Sequence, residues 1–385
     1  MIAPGFVASG VASGIKASGA ADLALVATED ARPVPAAGVF TQNLAPAAPV
    51  QISRRHLAST GGLASAVVLN SGNANASNGA GGIATAELMA RLTADGLGCA
   101  TGNVLVCSTG LIGIPLPHEP LEAGIPKLVA ARSADGGAEA AAAIMTTDTV
   151  PKTVRVEAGG FIVAGLAKGA AMLAPNMATM LAVITTDAKL SADELHLALS
   201  QAVVPSFNAI TIDGCTSTND TVLVLASGRS GSAVDARAFT EALTAACTDL
   251  AEQMVNDAEG STKSFRVTVR GAADDDAARA AARKVAQSQL VKCSFYGSDP
   301  YWGRVVSELA TAGTPFDPDK VRISYGGVVV CEGGVAAEHD PAAVAKVMSE
   351  RYIELDCDLG LGAGVGTILA ADLTHAYIDE NMGTS

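Results

Sequence analysis

The sequence predicts an α/β protein. Strand-like and helix-like segments alternate along all 385 residues, a pattern that excludes all-α and all-β chains. Short apolar runs stop at polar, glycine-bearing segments, as buried strands do when their ends hold up loops. Two stretches alternate apolar and polar residues on either side of a glycine pair, the mark of hairpins.

In chain order, Val67-Val68-Leu69 and Val104-Leu105-Val106 read as buried strands. Between them, Ile83 to Leu92 puts Leu88 and Leu92 on one helical face and runs to Gly96 and Gly98, a glycine stop. Val154 and Val156 lead through Gly159-Gly160 to Phe161-Ile162-Val163, the first hairpin. Ser191-Ala-Asp-Glu194 is a capping box that opens a helix with Leu195 and Leu199 inward. Phe239, Leu243, Leu250 and Met254 line a longer helix, begun by Asp235 and closed by Gly260. Phe265, Val267 and Val269 alternate as a strand, and Asp274-Asp275-Asp276 after it reads as a solvated turn and helix start rather than a metal site. That turn is the expected boundary of a smaller C-terminal α/β unit, from about 274 to 385. Val321, Ile323 and Tyr325 before Gly326-Gly327 and Val328 to Cys331 form the second hairpin.

Composition narrows the function. Hydrophobic residues make up 49% but aromatics only 4%, so the core is filled by small and branched aliphatics. The net charge of −14 repels polyanions, which argues against nucleic acid as a partner and asks for a local cation if the substrate is anionic. The seven cysteines (Cys99, Cys107, Cys215, Cys247, Cys293, Cys331, Cys357) include no C-x-x-C pair, and the five histidines (His56, His118, His196, His339, His375) are isolated. Reduced, mostly buried thiols and no metal site are expected. Neither a basic leader with an apolar run nor a membrane-length apolar segment is present, so a cytoplasmic location with no membrane contact is expected.

Three segments concentrate glycine and small polar residues: Asn70-Ser-Gly-Asn-Ala-Asn75, Cys107-Ser-Thr-Gly-Leu-Ile-Gly113 and Asp213-Gly-Cys-Thr-Ser-Thr-Asn-Asp220. Placed directly after a buried strand, Ser108-Thr109-Gly110 reads either as an ordinary strand-to-helix turn or as a loop aiming N–H groups and a hydroxyl at one point, as an oxyanion requires. In Lys168-Gly-Ala-Ala-Met-Leu-Ala-Pro-Asn-Met-Ala-Thr-Met-Leu181 a lysine precedes an apolar stretch broken by Pro175-Asn176, and Thr179 stands at the start of a strand-like run. Spacing alone makes Thr179 a half-buried strand residue.

The wording of that segment resembles the autocleavage motif of the glutamate N-acetyltransferase family, also called the ornithine acetyltransferases of arginine biosynthesis. Asn70 to Asn75, Cys107-Ser-Thr-Gly110, Ile144-Met-Thr-Thr-Asp148, Ser217-Thr-Asn-Asp-Thr221, Asp257-Ala-Glu-Gly260 and Gly297-Ser-Asp-Pro-Tyr-Trp-Gly-Arg304 resemble the same family in the same order. The resemblance implies the multi-layer α/β sandwich of the self-cleaving ornithine acetyltransferase type. It also implies scission between Ala178 and Thr179, leaving an α chain 1–178 and a β chain 179–385. Thr179 would then be both the new N-terminus and the acyl-carrying nucleophile, with its own amine as base. Acetyl would pass from N2-acetyl-L-ornithine to L-glutamate with ping-pong kinetics.

By the same resemblance Thr109 and Gly110 stabilise the oxyanion, and Thr146, Lys168, Glu259, Asn381 and Ser385 contact substrate. The ending Asn381-Met-Gly-Thr-Ser385 is one residue shorter than the family's, so Thr384 and Ser385 are alternatives for the last contact. No bound cofactor is implied, although acetyl-CoA is an optional co-substrate. Two α and two β chains would associate as a heterotetramer. Two other readings stay open on sequence. One is an N-terminal-nucleophile amidase or aminopeptidase, which would release the acyl group to water. The other is a nucleotide-binding protein built on Gly360-Leu-Gly-Ala-Gly-Val-Gly366, although a strand rather than a helix follows those glycines.

Overall fold

The computed structural model describes residues 1–173, 180–231 and 234–383. Ala178, Thr179, Thr384, Ser385 and Pro175-Asn176 lie outside the described residues. The chain divides into two compact units: Met1–Asn208 with Cys215–Met254, and Ala209–Gly214 with Val255 onward.

The first unit contains β1 (Phe6–Val11), β2 (Leu23–Thr28), β3 (Val34–Phe40), β4 (Leu63–Ala64), β5 (Ala66–Asn73), β6 (Val104–Leu111), β7 (Lys152–Ala158), β8 (Phe161–Lys168) and β9 (Leu181–Thr186). After β10 (Ile210–Thr211), a strand of the second unit, β11 (Thr221–Ala226) returns to the first. These strands form two sheets, ordered β1-β2-β5-β6 and β4-β3-β11-β9-β8-β7. Alternate side chains of both sheets, among them Val26, Val67, Leu69, Leu105, Leu166, Val183 and Leu223, meet in one core. The other face of the four-stranded sheet, with Leu25, Val68 and Val106, is covered by helices Ala48–Thr60, Gly79–Leu97 and His118–Ala130. The larger sheet is covered in turn: helix Ala192–Ala202 packs on β3 and β11, and Phe239 of helix Ala236–Asn256 lies 5.8 Å, ring to ring, from Phe161. The layers therefore run helix, sheet, sheet, helix, the sandwich implied by the motifs.

Local signals act as the sequence foretold. Gly98 ends its helix in the left-handed region at φ 75°, and Ser191 with Glu194 closes a full capping box. Both glycine-pair hairpins form, β7 with β8 and β13 (Arg322–Tyr325) with β14 (Val328–Glu332), where β12 is Ser264–Ala272. Four of the cysteines are buried, while Cys215 and Cys293 are exposed.

The second unit is a seven-stranded sheet completed by β15 (Val335–Ala336), β16 (Tyr352–Asp358) and β17 (Gly364–Ala371), in the order β10-β17-β12-β16-β13-β14-β15. Its core includes Phe265 and Phe295, stacked with ring centroids 3.8 Å apart. The expected boundary near residue 274 falls inside this unit. The strand before the three aspartates pairs with β16 and β17 and cannot be parted from them, and Asp274 caps helix Asp275–Gln287 by accepting the Ala277 N–H. Gly364 to Gly366 are strand residues, so no phosphate-binding strand–glycine–helix turn forms there. Among the described residues no helix is long and apolar enough to cross a membrane.

Candidate active site

In the first unit the polar tails of β5 and β6 are strand, not the loop expected at Ser108 to Gly110. The parallel register continues from Ala66 opposite Val104 to Gly72 opposite Gly110. Small polar residues usually signal a turn because their side chains compete for backbone groups. Here the Asn70 amide and the Ser71 hydroxyl bond outside the ladder and leave it intact. Asn70 Nδ2 donates to the Asn73 carbonyl at 2.8 Å and Ser71 Oγ to the Ala143 carbonyl at 2.6 Å. From the other sheet, Asn219 Nδ2 donates to the Ser108 carbonyl at 2.8 Å and the Ala74 carbonyl at 2.7 Å. Gly110 sits at φ 131°, and a Cβ there would lie 2.3 Å from the Gly72 carbonyl carbon. Only glycine permits this approach. Thr109 is thereby fixed and almost wholly buried.

Lys168, the last residue of β8, points its ammonium at that strand. Nζ donates to Thr146 Oγ1 at 2.6 Å and to Thr109 Oγ1 at 3.3 Å. Beneath it lies Asp148, whose Oδ1 accepts from Lys152 Nζ at 2.7 Å and from the Gly169 N–H at 2.7 Å. Its Oδ2 accepts the Thr146 N–H at 3.0 Å and is 3.9 Å from Lys168 Nζ. Burial alone would raise the Asp148 pKa, but Lys168, Lys152 and the donated hydrogen bonds outweigh it and hold the carboxyl at about 2. Lys16 completes the cationic wall, donating to the Met145 carbonyl at 2.8 Å. Lys152, Lys168 and Lys16 thus set three positive charges near one carboxylate.

Lys168 pairs with Leu181 in the antiparallel register of β8 and β9. The strand that begins two residues after position 179 thus runs beside the lysine. On its other side, β9 pairs with β11, Leu181 opposite Thr221, and Asp220 Oδ1 accepts the Met180 N–H at 3.0 Å.

The second unit brings together two further expected residues. Glu259 follows helix Ala236–Asn256 and is buried rather than solvated. Asn381 Nδ2 donates to its Oε2 at 2.8 Å. Gly260, at φ 60°, would put a Cβ 2.5 Å from Tyr377 N, so the turn carrying Glu259 and helix His375–Glu380 meet backbone to backbone. Thr109, Thr146 and Lys168 are thus one cluster, and Glu259 with Asn381 another. Lys16, Lys152, Asn219 and Asp220 were not singled out from sequence, nor was Asp148 beyond its motif. The signal available was the lettering of the motifs that contain Asp148, Asn219 and Asp220.

Comparison with known proteins identifies the family of the chain. The ArgJ family model matches residues 7–383. The "Arginine biosynthesis bifunctional protein ArgJ" of Streptomyces avermitilis is 47% identical over 384 residues, covering 100% of this chain and 98% of its own. Its namesake from Thermobifida fusca is 44% identical over 381 residues, covering 99% and 98%. The crystal structure of the Bacillus halodurans protein of that name is 33% identical at a TM-score of 0.50, over 51% of this chain and 95% of that one.

Proposed function

The chain belongs to the ArgJ family, and on that footing we propose that it carries acetyl from N2-acetyl-L-ornithine to L-glutamate as an ester on Thr179, after cutting itself between Ala178 and Thr179 into chains 1–178 and 179–385. The observation that supports this most is the Lys168 ammonium hydrogen-bonded to Thr109 and Thr146, beside a strand that starts two residues past Thr179.

Scission gives Thr179 a free α-amine with an ordinary pKa of about 7.7–8.0, so a useful fraction is neutral base near neutrality. The amine takes the hydroxyl proton as Oγ attacks the acetyl carbon. The C–N bond to ornithine then breaks, the leaving nitrogen takes that proton, and glutamate's amine attacks the ester in the mirror-image step. The oxyanion formed in both halves is held at Thr109 and Gly110, where one donor is worth about 2.7–4 kcal/mol of barrier. Lys168 pairs with the substrate carboxylate, Thr146 holds the lysine on target, and Glu259 with Asn381 contacts the ornithine chain, as does Ser385 or Thr384. Acetyl-CoA, a co-substrate and not a resident cofactor, would load the same ester, and the two fragments would assemble as pairs in the cytoplasm.

Thr179→Ala should remain a single uncut chain without transferase activity, and Thr179→Ser should cut and retain part of it. A fully active, uncut Thr179→Ala protein would overturn the proposal.

A further inference from the structure

Lys292, in helix Gln289–Tyr296 of the second unit, is a lysine with almost no exposed surface. Its Nζ donates to the Ile212 carbonyl at 2.6 Å and to the Ala371 carbonyl at 2.6 Å, and stands 5.8 Å from the centre of the Phe265 ring. Burial lowers its pKa to about 8, against the pull of Asp213 and Asp372. Burying an ammonium is unfavourable unless its partners compensate, and an apolar side chain of similar volume would avoid the penalty, so its presence asks for a reason.

The hydrogen bonds beyond those two carbonyls supply one. β10 and β17 pair in parallel, Ile212 follows the first and Ala371 ends the second, and the next residue in each case is an aspartate. Asp372 accepts the Thr262 N–H at 3.0 Å and the Thr262 hydroxyl at 2.5 Å, which ties down the turn that carries Glu259. Asp213 Oδ2 lies 3.4 Å from the Tyr377 hydroxyl, and the Tyr377 carbonyl accepts from Asn381 Nδ2 at 2.9 Å. Thr374 joins the two paths: its Oγ1 donates to the Gly260 carbonyl at 2.7 Å and accepts the Tyr377 N–H at 3.1 Å. Both paths from Lys292 end at the pair Glu259–Asn381, whose side chains meet at 2.8 Å.

We infer that Lys292 is a positioning residue for substrate choice: by clamping the chain where β10 and β17 end, it sets Glu259, through Asp213 and Asp372, where a carboxylate can take the terminal ammonium of an ornithine side chain. A lysine suits the task, because its charge draws both aspartates while its N–H groups pin both carbonyls. The inference rests on the reading of Glu259 as the ornithine contact.

The readout is a ratio: kcat/KM for N2-acetyl-L-ornithine over kcat/KM for N2-acetyl-L-norvaline, the same chain without its terminal amine, with glutamate as acceptor. Wild type should favour acetylornithine, and Glu259→Gln should cut that preference by about tenfold or more. Lys292→Met should cut it by a similar factor, and in the double variant the two losses should not add. General damage to the fold would lower both substrates alike and leave the ratio at its wild-type value; that result, or additive losses, would overturn the inference. If Glu259→Gln leaves the ratio unchanged, the ornithine contact itself falls and the inference falls with it. Should Lys292→Met not fold, Thr262→Val decides, since Thr262 is exposed and the change removes its hydroxyl bond to Asp372. The ratio should drop while Tm holds, and an unchanged ratio would contradict the role.

Discussion

Asp148 Oδ1 and Lys152 Nζ meet at 2.7 Å with neither side chain reaching solvent. The pair anchors the floor on which Lys168 stands, because the same carboxylate also holds the N–H groups of Thr146 and Gly169. A buried ion pair is costly to break, since the remaining charge stays desolvated.

Asp148→Asn should therefore lower stability by about 3–5 kcal/mol at neutral pH, measured by urea unfolding. The wild-type pH dependence follows from the depressed pKa. Asp148 titrates at about 2 in the folded protein and near 3.9 unfolded, so its contribution is complete above about pH 4 and is lost as pH falls through about 2. The Asn variant should lack that acid-limb component. Identical acid unfolding of the two proteins would remove the charge from the account.

Lys168 donates to two hydroxyls from one point charge, a geometry that a planar guanidinium does not reproduce. Lys168→Met should cost about 2–5 kcal/mol in kcat/KM for acetylornithine, and Lys168→Arg should recover little of it. Full recovery by arginine, in steady-state assays, would show that charge alone suffices.

How much of this was readable beforehand differs by element. Helix ends at Gly98 and Ser191 obey local chemistry and were legible. Ser108 to Gly110 were not, because their small polar composition signals a turn while Asn219, from the other sheet, bonds the Ser108 carbonyl and helps hold them extended. The start of the second unit was also hidden, since the pairing of β12 with β16 joins residues far apart in sequence. Asp148 and Asp220 look like ordinary surface acids until a tertiary core closes over them. Thr109, Thr146 and Lys168 came from motif resemblance, and no periodicity in the chain points to their meeting.

Gly110→Ala forces a side chain against the Gly72 carbonyl carbon at positive φ. Loss of kcat by about 10²-fold or more is expected through the displaced N–H, together with a lower Tm. Near-normal kcat would show that this backbone is not an oxyanion donor.

Glu259→Gln keeps a partner for Asn381 Nδ2 but removes the charge. Scission should proceed, while KM for acetylornithine rises and Tm stays close to wild type. An unchanged KM would exclude Glu259 as an ornithine contact.

The most direct test is denaturing mass analysis of the purified protein before and after N2-acetyl-L-ornithine. Fragments 1–178 and 179–385 should appear, and the second should gain one acetyl group that glutamate removes. An intact chain with full transferase activity, or cut chains that turn over substrate yet never carry acetyl on 179–385, would contradict the threonine ester.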